Sequence, residues 1–275
     1  MLVRVAHSPD SDDAFMFWAL AKGRVDTEGL VYEHVLRDIE TLNRAAETST
    51  YEVTALSIHA YAYLADRYLL LPHGASMGDG YGPVLVARKG FREADLAAAA
   101  IAIPGARTSA ALALGLWRKG LRTKVMDFAA IQPAVAAGEV AAGVIIHEGQ
   151  LTYAEEGLSK IVDLGEWWKG ETGLPLPLGG NGIRRDLPPD LRAKVSRHLH
   201  ASIATGLAHR EEGLAHAESF SRGLPREKTD RFVGMYVNDW TLDYGERGRR
   251  AIALFLERGY EAGLLPRRVV PEFAA

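Results

Sequence analysis

Residues 100–120, AIAIPGARTSAALALGLWRKG, decide the fold of this chain. Ala100–Ile103 is an unbroken apolar run of strand length. Pro104-Gly105-Ala106-Arg107 ends it as a loop, since proline lacks an amide for the ladder and glycine tolerates the turn. Thr108 and Ser109 then offer N-cap hydroxyls to an Ala/Leu helix that runs to Lys119. Strand, loop and helix in that order form half of a β-α-β unit, whose strands lie parallel because the helix carries the chain back across the sheet.

The same grammar extends in both directions. Downstream, Lys124–Phe128 reads as a strand, Ile131–Ala137 as a helix and Ala142–His147 as a strand. Upstream, Val3–Ala6 is a strand closed by His7-Ser8-Pro9-Asp10, after which Ala14, Phe17, Trp18 and Ala21 recur at helical spacing until Gly23. Strand Leu30–Leu36, helix Ile39–Ala46, strand Glu52–Leu56 and helix Ser57–Ala65 complete a first β-α-β-α-β-α run. Two breaker-rich stretches, Gly74–Gly82 leading into extended Pro83–Arg88 and then Pro175–Ile183, separate the two runs, and everything after Pro188 reads as helix, with Leu191–Leu207 and Arg249–Gly259 covering the first run. The expectation is an α/β chain of two lobes, each a mainly parallel sheet flanked by helices. Residues 1–84 with 180–275 form a discontinuous large lobe, 85–179 an inserted small one, and two extended crossings hinge them about a cleft.

Composition narrows the function. A chain of 275 residues, 48% hydrophobic and 24% charged, folds as an ordinary globule large enough for two lobes. Lys and Arg number 32 against 35 Asp and Glu, which argues against nucleic acid. With no cysteine, disulfides, thiolate nucleophiles and thiolate metal sites are excluded. The N-terminus lacks the long apolar run of a secretory signal, and no stretch holds the roughly 18 consecutive apolar residues of a membrane span, so a cytoplasmic protein is expected.

In open α/β sheets ligands sit at the carboxyl ends of strands, against the N-termini of the helices that follow. Three strand ends qualify. At Ala55-Leu56-Ser57 the hydroxyl either caps the next helix or binds a ligand. At Thr108-Ser109-Ala110 a helix N-terminus with two hydroxyls suits a carboxylate or phosphate, or serves only as a cap. This turn lacks the Gly-Lys-Ser/Thr of a P-loop and the further glycines of a dinucleotide fingerprint. At Val144-Ile145-Ile146-His147 an apolar strand delivers an imidazole into the cleft, where it can take a proton or merely cap a turn. Glu148 beside it is expected to point to solvent. His7, Asp10, Asp12 and Asp13 have metal-ligand chemistry, but acidic residues before a helix are also what its dipole favours, and no metal is expected. His198, His200, His209 and His216 are read as solvated, and Trp167 and Trp168 as packing between lobes.

The segment His7-Ser8-Pro9-Asp10-Ser11-Asp12-Asp13-Ala14-Phe15-Met16-Phe17, with Thr54-Ala55-Leu56-Ser57, Thr108-Ser109-Ala110 and Val144-Ile145-Ile146-His147-Glu148, resembles the naphthoate synthase and chorismate dehydratase family of menaquinone biosynthesis by the futalosine pathway. The resemblance runs over the whole chain, and the opening motif favours the naphthoate synthase branch. It implies a type 2 periplasmic-binding-protein-like fold. It also implies a lyase that cleaves a carbon–carbon bond in a small carboxylate, cyclic dehypoxanthine futalosine, to release 1,4-dihydroxy-6-naphthoate without a cofactor. His147 matches the family's general base, and Ala55, Leu56, Ser57, Thr108, Ser109 and Ala110 match its substrate contacts. The alternatives are chorismate dehydration and solute binding without chemistry.

Overall fold

Two runs of alternating strands and helices produce two separate sheets in the computed structural model, which describes residues 1–274. In the first sheet β2 (Val31–Leu36), β1 (Leu2–His7), β3 (Val53–Ser57), β11 (Leu176–Arg184) and β4 (Tyr68–Leu70) are neighbours in that order, and β5 (Ser76–Gly78) also pairs with β11. In the second the order is β10 (Leu158–Asp163), β6 (Val84–Arg88), β9 (Ala142–Ile145), β7 (Ala100–Ile103) and β8 (Arg122–Val125). Wherever a helix carries the chain across, the pairs are parallel: β1 with β2 and β3, and β7 with β8 and β9. Where the chain passes between sheets they are antiparallel, as β6 is to β9 and β10, and β11 to β3, β4 and β5.

Both sheets are therefore mixed, and the two extended crossings are themselves strands built into them. The glycines that make Pro175–Ile183 look like a breaker admit neighbours instead. A Cβ on Gly182 would stand 2.6 Å from a methyl of Leu56, and one on Gly180 would stand 2.8 Å from the Tyr244 hydroxyl. Strands β4, β5 and β10 add edges that the alternating pattern did not announce. The helix after β8 starts at Phe128, because the Asp127 carboxylate accepts the Ala129 N–H at 2.9 Å and caps it there.

Helices α1 (Ser11–Ala21), α2 (Ile39–Ala46) and α3 (Ile58–Leu64) belong to the first run, and α4 (Ser109–Trp117), α5 (Phe128–Ala137) and α6 (Leu164–Thr172) to the second. Five more follow: α7 (Pro189–Ala208), α8 (Arg210–Ala217), α9 (Arg226–Tyr236), α10 (Asp239–Leu242) and α11 (Gly245–Glu261). Helix α1 is sandwiched by α7, α8 and α9, so Phe15, Met16 and Phe17 are all buried and no polar stripe is left. The largest core cluster draws on both sheets, with Leu70 and Leu176 from one, Leu85 and Ile101 from the other, and Phe255 of α11 beside them. Trp168 joins it, its ring edge-on to Phe255 at 5.3 Å and its indole N–H donated to the Pro175 carbonyl at 3.1 Å.

At the first passage between sheets two glycines meet. A Cβ on Gly165, at the start of α6, would lie 1.8 Å from the Tyr81 carbonyl oxygen, and one on Gly82 would lie 2.9 Å from the Gly165 nitrogen. The Leu164 N–H donates to the Pro83 carbonyl at 2.9 Å beside them. No helix among the described residues is long and apolar enough to cross a membrane.

Candidate active site

The carboxyl ends of β1 and β3, the strand β11 and the N-terminus of α4 converge on one cleft, which encloses about 120 Å³. Ala55, Leu56, Ser57, Thr108, Ser109 and Ala110 all line it, joined by Ser8, Asp12, Gln150, Asn181 and Tyr236. The two polar turns thus face the same space.

Ser57 precedes α3, but its side chain does not cap that helix. Asn43 of α2 holds it at both ends: Asn43 Nδ2 donates to Ser57 Oγ at 3.0 Å, and the Ser57 N–H donates to Asn43 Oδ1 at 3.0 Å. A hydroxyl that accepts from Asn43 keeps its own proton for a ligand. Thr108 is the cap of α4, accepting from the Ala111 N–H and donating to the Gly105 carbonyl at 2.9 Å. The amides of Ser109 and Ala110, in the first turn of α4, have no intrahelical partner and carry the positive end of the helix dipole. The Ser109 hydroxyl accepts the His59 N–H at 3.2 Å and donates to the Leu178 carbonyl, which ties α4 to α3 and β11.

His147 stands elsewhere. It opens onto a neighbouring cavity of about 370 Å³, shared with Gln132, Thr152, Ser221 and Arg222. It caps the short turn Glu148–Leu151, with the Gly149 N–H donating to Nδ1 at 3.0 Å, and its ring lies edge-on to Phe128 at 5.7 Å. Burial lowers its pKa, so the ring is neutral near pH 7. With Nδ1 accepting, the neutral ring carries its proton on Nε2, a buried atom without a hydrogen-bond partner among the described residues.

Glu148 is not in solvent. Its side chain is 3% exposed, accepting from the Ser11 hydroxyl at 2.9 Å and pairing with Arg222 at 2.6 Å, while the other arm of Arg222 reaches Asp10 at 2.5 Å. A cation that reaches it from another part of the chain removes the reason for solvation. His198 is likewise buried, between the Tyr32 hydroxyl at 2.8 Å and Glu28 at 3.2 Å, whereas His200 and His209 are exposed. His7 turns away from the aspartates of the opening motif. The ring of His7 meets His34 and the Ser8 carbonyl, and Asp13 accepts the Ser8 N–H at 2.7 Å. Asp12 borders the cleft, with burial first and then Asp13, Asp10 and Glu148 raising its pKa well above the usual carboxylate range. Tyr236 of α9 donates to Gln150 at 2.7 Å on the same wall. Asn43, Gln150, Arg222 and Tyr236 carry no local motif that marks them in the sequence.

Two sheets linked by two passing strands, with a polar cleft at the strand ends, define a fold of the periplasmic-binding-protein class. The alkanesulfonate-binding protein SsuA of Xanthomonas axonopodis pv. citri, solved with MOPS bound, superposes with a TM-score of 0.74 at 16% identity, over 98% of this chain and 96% of that one. Within that class the chain belongs to the family described as Menaquinone biosynthesis, whose profile matches residues 3–261. It is 41% identical to the 1,4-dihydroxy-6-naphthoate synthase of Thermus thermophilus over 262 residues, 95% of either chain. A crystal structure of protein AF1704 from Archaeoglobus fulgidus matches with a TM-score of 0.92 and 48% identity, over 96% of this chain and 98% of that one.

Proposed function

We propose that this chain converts cyclic dehypoxanthine futalosine to 1,4-dihydroxy-6-naphthoate, a carbon–carbon lyase step that needs no cofactor. The observation that carries this reading is the 41% identity, over 95% of the chain, to a relative named for that product. The cleft chemistry suits the substrate. The free amides of Ser109 and Ala110 would take its carboxylate, while the Ser57 hydroxyl, fixed by Asn43, would hold a sugar-derived hydroxyl from the facing wall. Residues 1–84 with 180–275, and residues 85–179, would act as two lobes that close over the ligand and exclude water, in a cytoplasmic enzyme.

His147 is the proposed general base, a role worth about 10² to 10⁴ in rate. Its neutral state suits it to accept a proton. To do so in the substrate cleft, the ring must leave Gly149 and turn from its present cavity. Purified protein incubated with the cyclic substrate should release naphthoate, read by mass, whereas production of 3-enolpyruvoylbenzoate from chorismate would transfer the chain to the dehydratase branch. His147→Asn should bind substrate nearly as well as the parent while turnover falls at least about a hundredfold. Unchanged turnover in that variant removes His147 from the chemistry.

A further inference from the structure

Four carboxyl groups gather where α1 begins, and three are partnered. Asp10 accepts from the Ser8 hydroxyl at 3.0 Å and pairs with Arg222, Asp13 accepts the Ser8 N–H, and Glu148 is held by Ser11 and Arg222. Asp12 alone has no ion pair and no side-chain partner among the described residues, its carboxyl bonding only to the Asp13 backbone, and it borders the cleft that Ser57, Ser109 and Tyr236 also line. We propose that Asp12 is a catalytic acid of this cleft, giving a proton to the departing sugar-derived fragment as the carbon–carbon bond breaks.

This assignment rests on the lyase reading above and adds a residue to it. The cleft is electrically divided. The α4 amides draw the substrate carboxylate to themselves, and the carboxyl cluster repels it, so the oxygen-bearing rings are left facing Asp12. The groups around Asp12 are Asp10, Asp13 and Glu148, the Arg222 that neutralises part of that charge, and the Tyr236 hydroxyl, which is committed to Gln150. Burial and the three carboxyls raise the Asp12 pKa well above that of an ordinary aspartate, which favours the acid form the proposed step requires.

The step balances. The hydroxyl on the ring carbon gives its proton to His147 and becomes a ring carbonyl as the bond to the sugar-derived fragment breaks. The electron pair leaves with the fragment, whose own carbonyl oxygen takes the Asp12 proton as it becomes an enol. The ring diketone then enolises to the dihydroxynaphthoate, and the proton held by His147 returns through water to restore the Asp12 acid. Nothing is oxidised or reduced overall, and aromatisation supplies the driving force.

The test uses Asp12→Asn in the full chain, a change that preserves shape. Turnover of the cyclic substrate should fall at least about a hundredfold with KM within about threefold. The parent's kcat/KM should decline as pH rises through the Asp12 pKa, and the residual rate of the variant should lose that alkaline limb. Independently of turnover, the infrared difference spectrum of parent minus variant at pH 7 should contain the C=O stretch of a protonated carboxylic acid. If that band is absent, or the variant keeps turnover within about threefold of the parent, the proposal is overturned. A band present in a parent protein that does not turn over the substrate would overturn the lyase reading and the step assigned here, while establishing that Asp12 holds its proton.

Discussion

Arg222→Met isolates a buried ionic contact. Arg222 is the cation that reaches Glu148, whose side chain is 3% exposed, and it also holds Asp10. Removing one member of a buried pair typically costs about 3–5 kcal/mol, because the survivor stays charged and unsolvated. The lower end applies here, since Arg222 is itself 33% exposed and Glu148 keeps its bond from Ser11. A loss of about 3 kcal/mol at pH 8 corresponds to a Tm lowered by about 6–12 °C. The pH dependence follows from burial, which already raises the Glu148 pKa. Without the arginine it rises further, so the folded carboxyl binds a proton before the unfolded one does. The penalty is then full at high pH and shrinks by up to about 1.4 kcal/mol for each pH unit below the folded pKa. Urea unfolding at pH 8 and pH 5 should give a deficit that is markedly smaller at pH 5, and adding Glu148→Gln to Arg222→Met should recover most of it. A deficit below about 1 kcal/mol at both pH values, or a double variant no more stable than the single, would refute the reasoning.

Two glycines of α6 should respond in opposite directions to alanine. Gly165→Ala drives a methyl into the Tyr81 carbonyl and should cost at least about 3 kcal/mol in denaturant unfolding, whereas Gly170→Ala, with nothing within 4 Å, should gain about 0.5–1 kcal/mol of helix propensity. His7, buried beside His34, has its pKa pushed down to about 3. Its neutral ring therefore contributes stability that is present above pH 6.5 and lost as pH falls towards 3, up to about 5 kcal/mol. His7→Gln should flatten the stability–pH curve in that window, and an unchanged slope would place the acid sensitivity elsewhere.

The strand ends at Ala55–Ser57 and Thr108–Ala110 were legible because the cues are local: an apolar run, a turn, a hydroxyl, a helix. Their meeting in one cleft followed from the alternation of strands and helices. What could not be read was anything that depends on a distant partner. Glu148 looks like a surface residue until Arg222, remote in the chain, is brought beside it. Asn43 is an ordinary helix residue until the fold sets it against Ser57. Strand β11 looks like a loop because its glycines serve neighbours, Leu56 and Tyr244, that the local sequence does not name. The side chain of His147 could not be aimed from its position at a strand end, since a single amide, that of Gly149, determines which way the ring turns.

The contact between Gly82 and Gly165 works as a bare bearing: two stretches of main chain touch with no side chain between them. The separation of the sheets at their junction is therefore fixed by carbonyl and amide atoms, which cannot repack as side chains do. A single methyl inserted there would act as a shim, tilting one sheet on the other and altering the width of a ligand mouth whose lining includes neither glycine. The width of that mouth would then answer to two residues outside its lining.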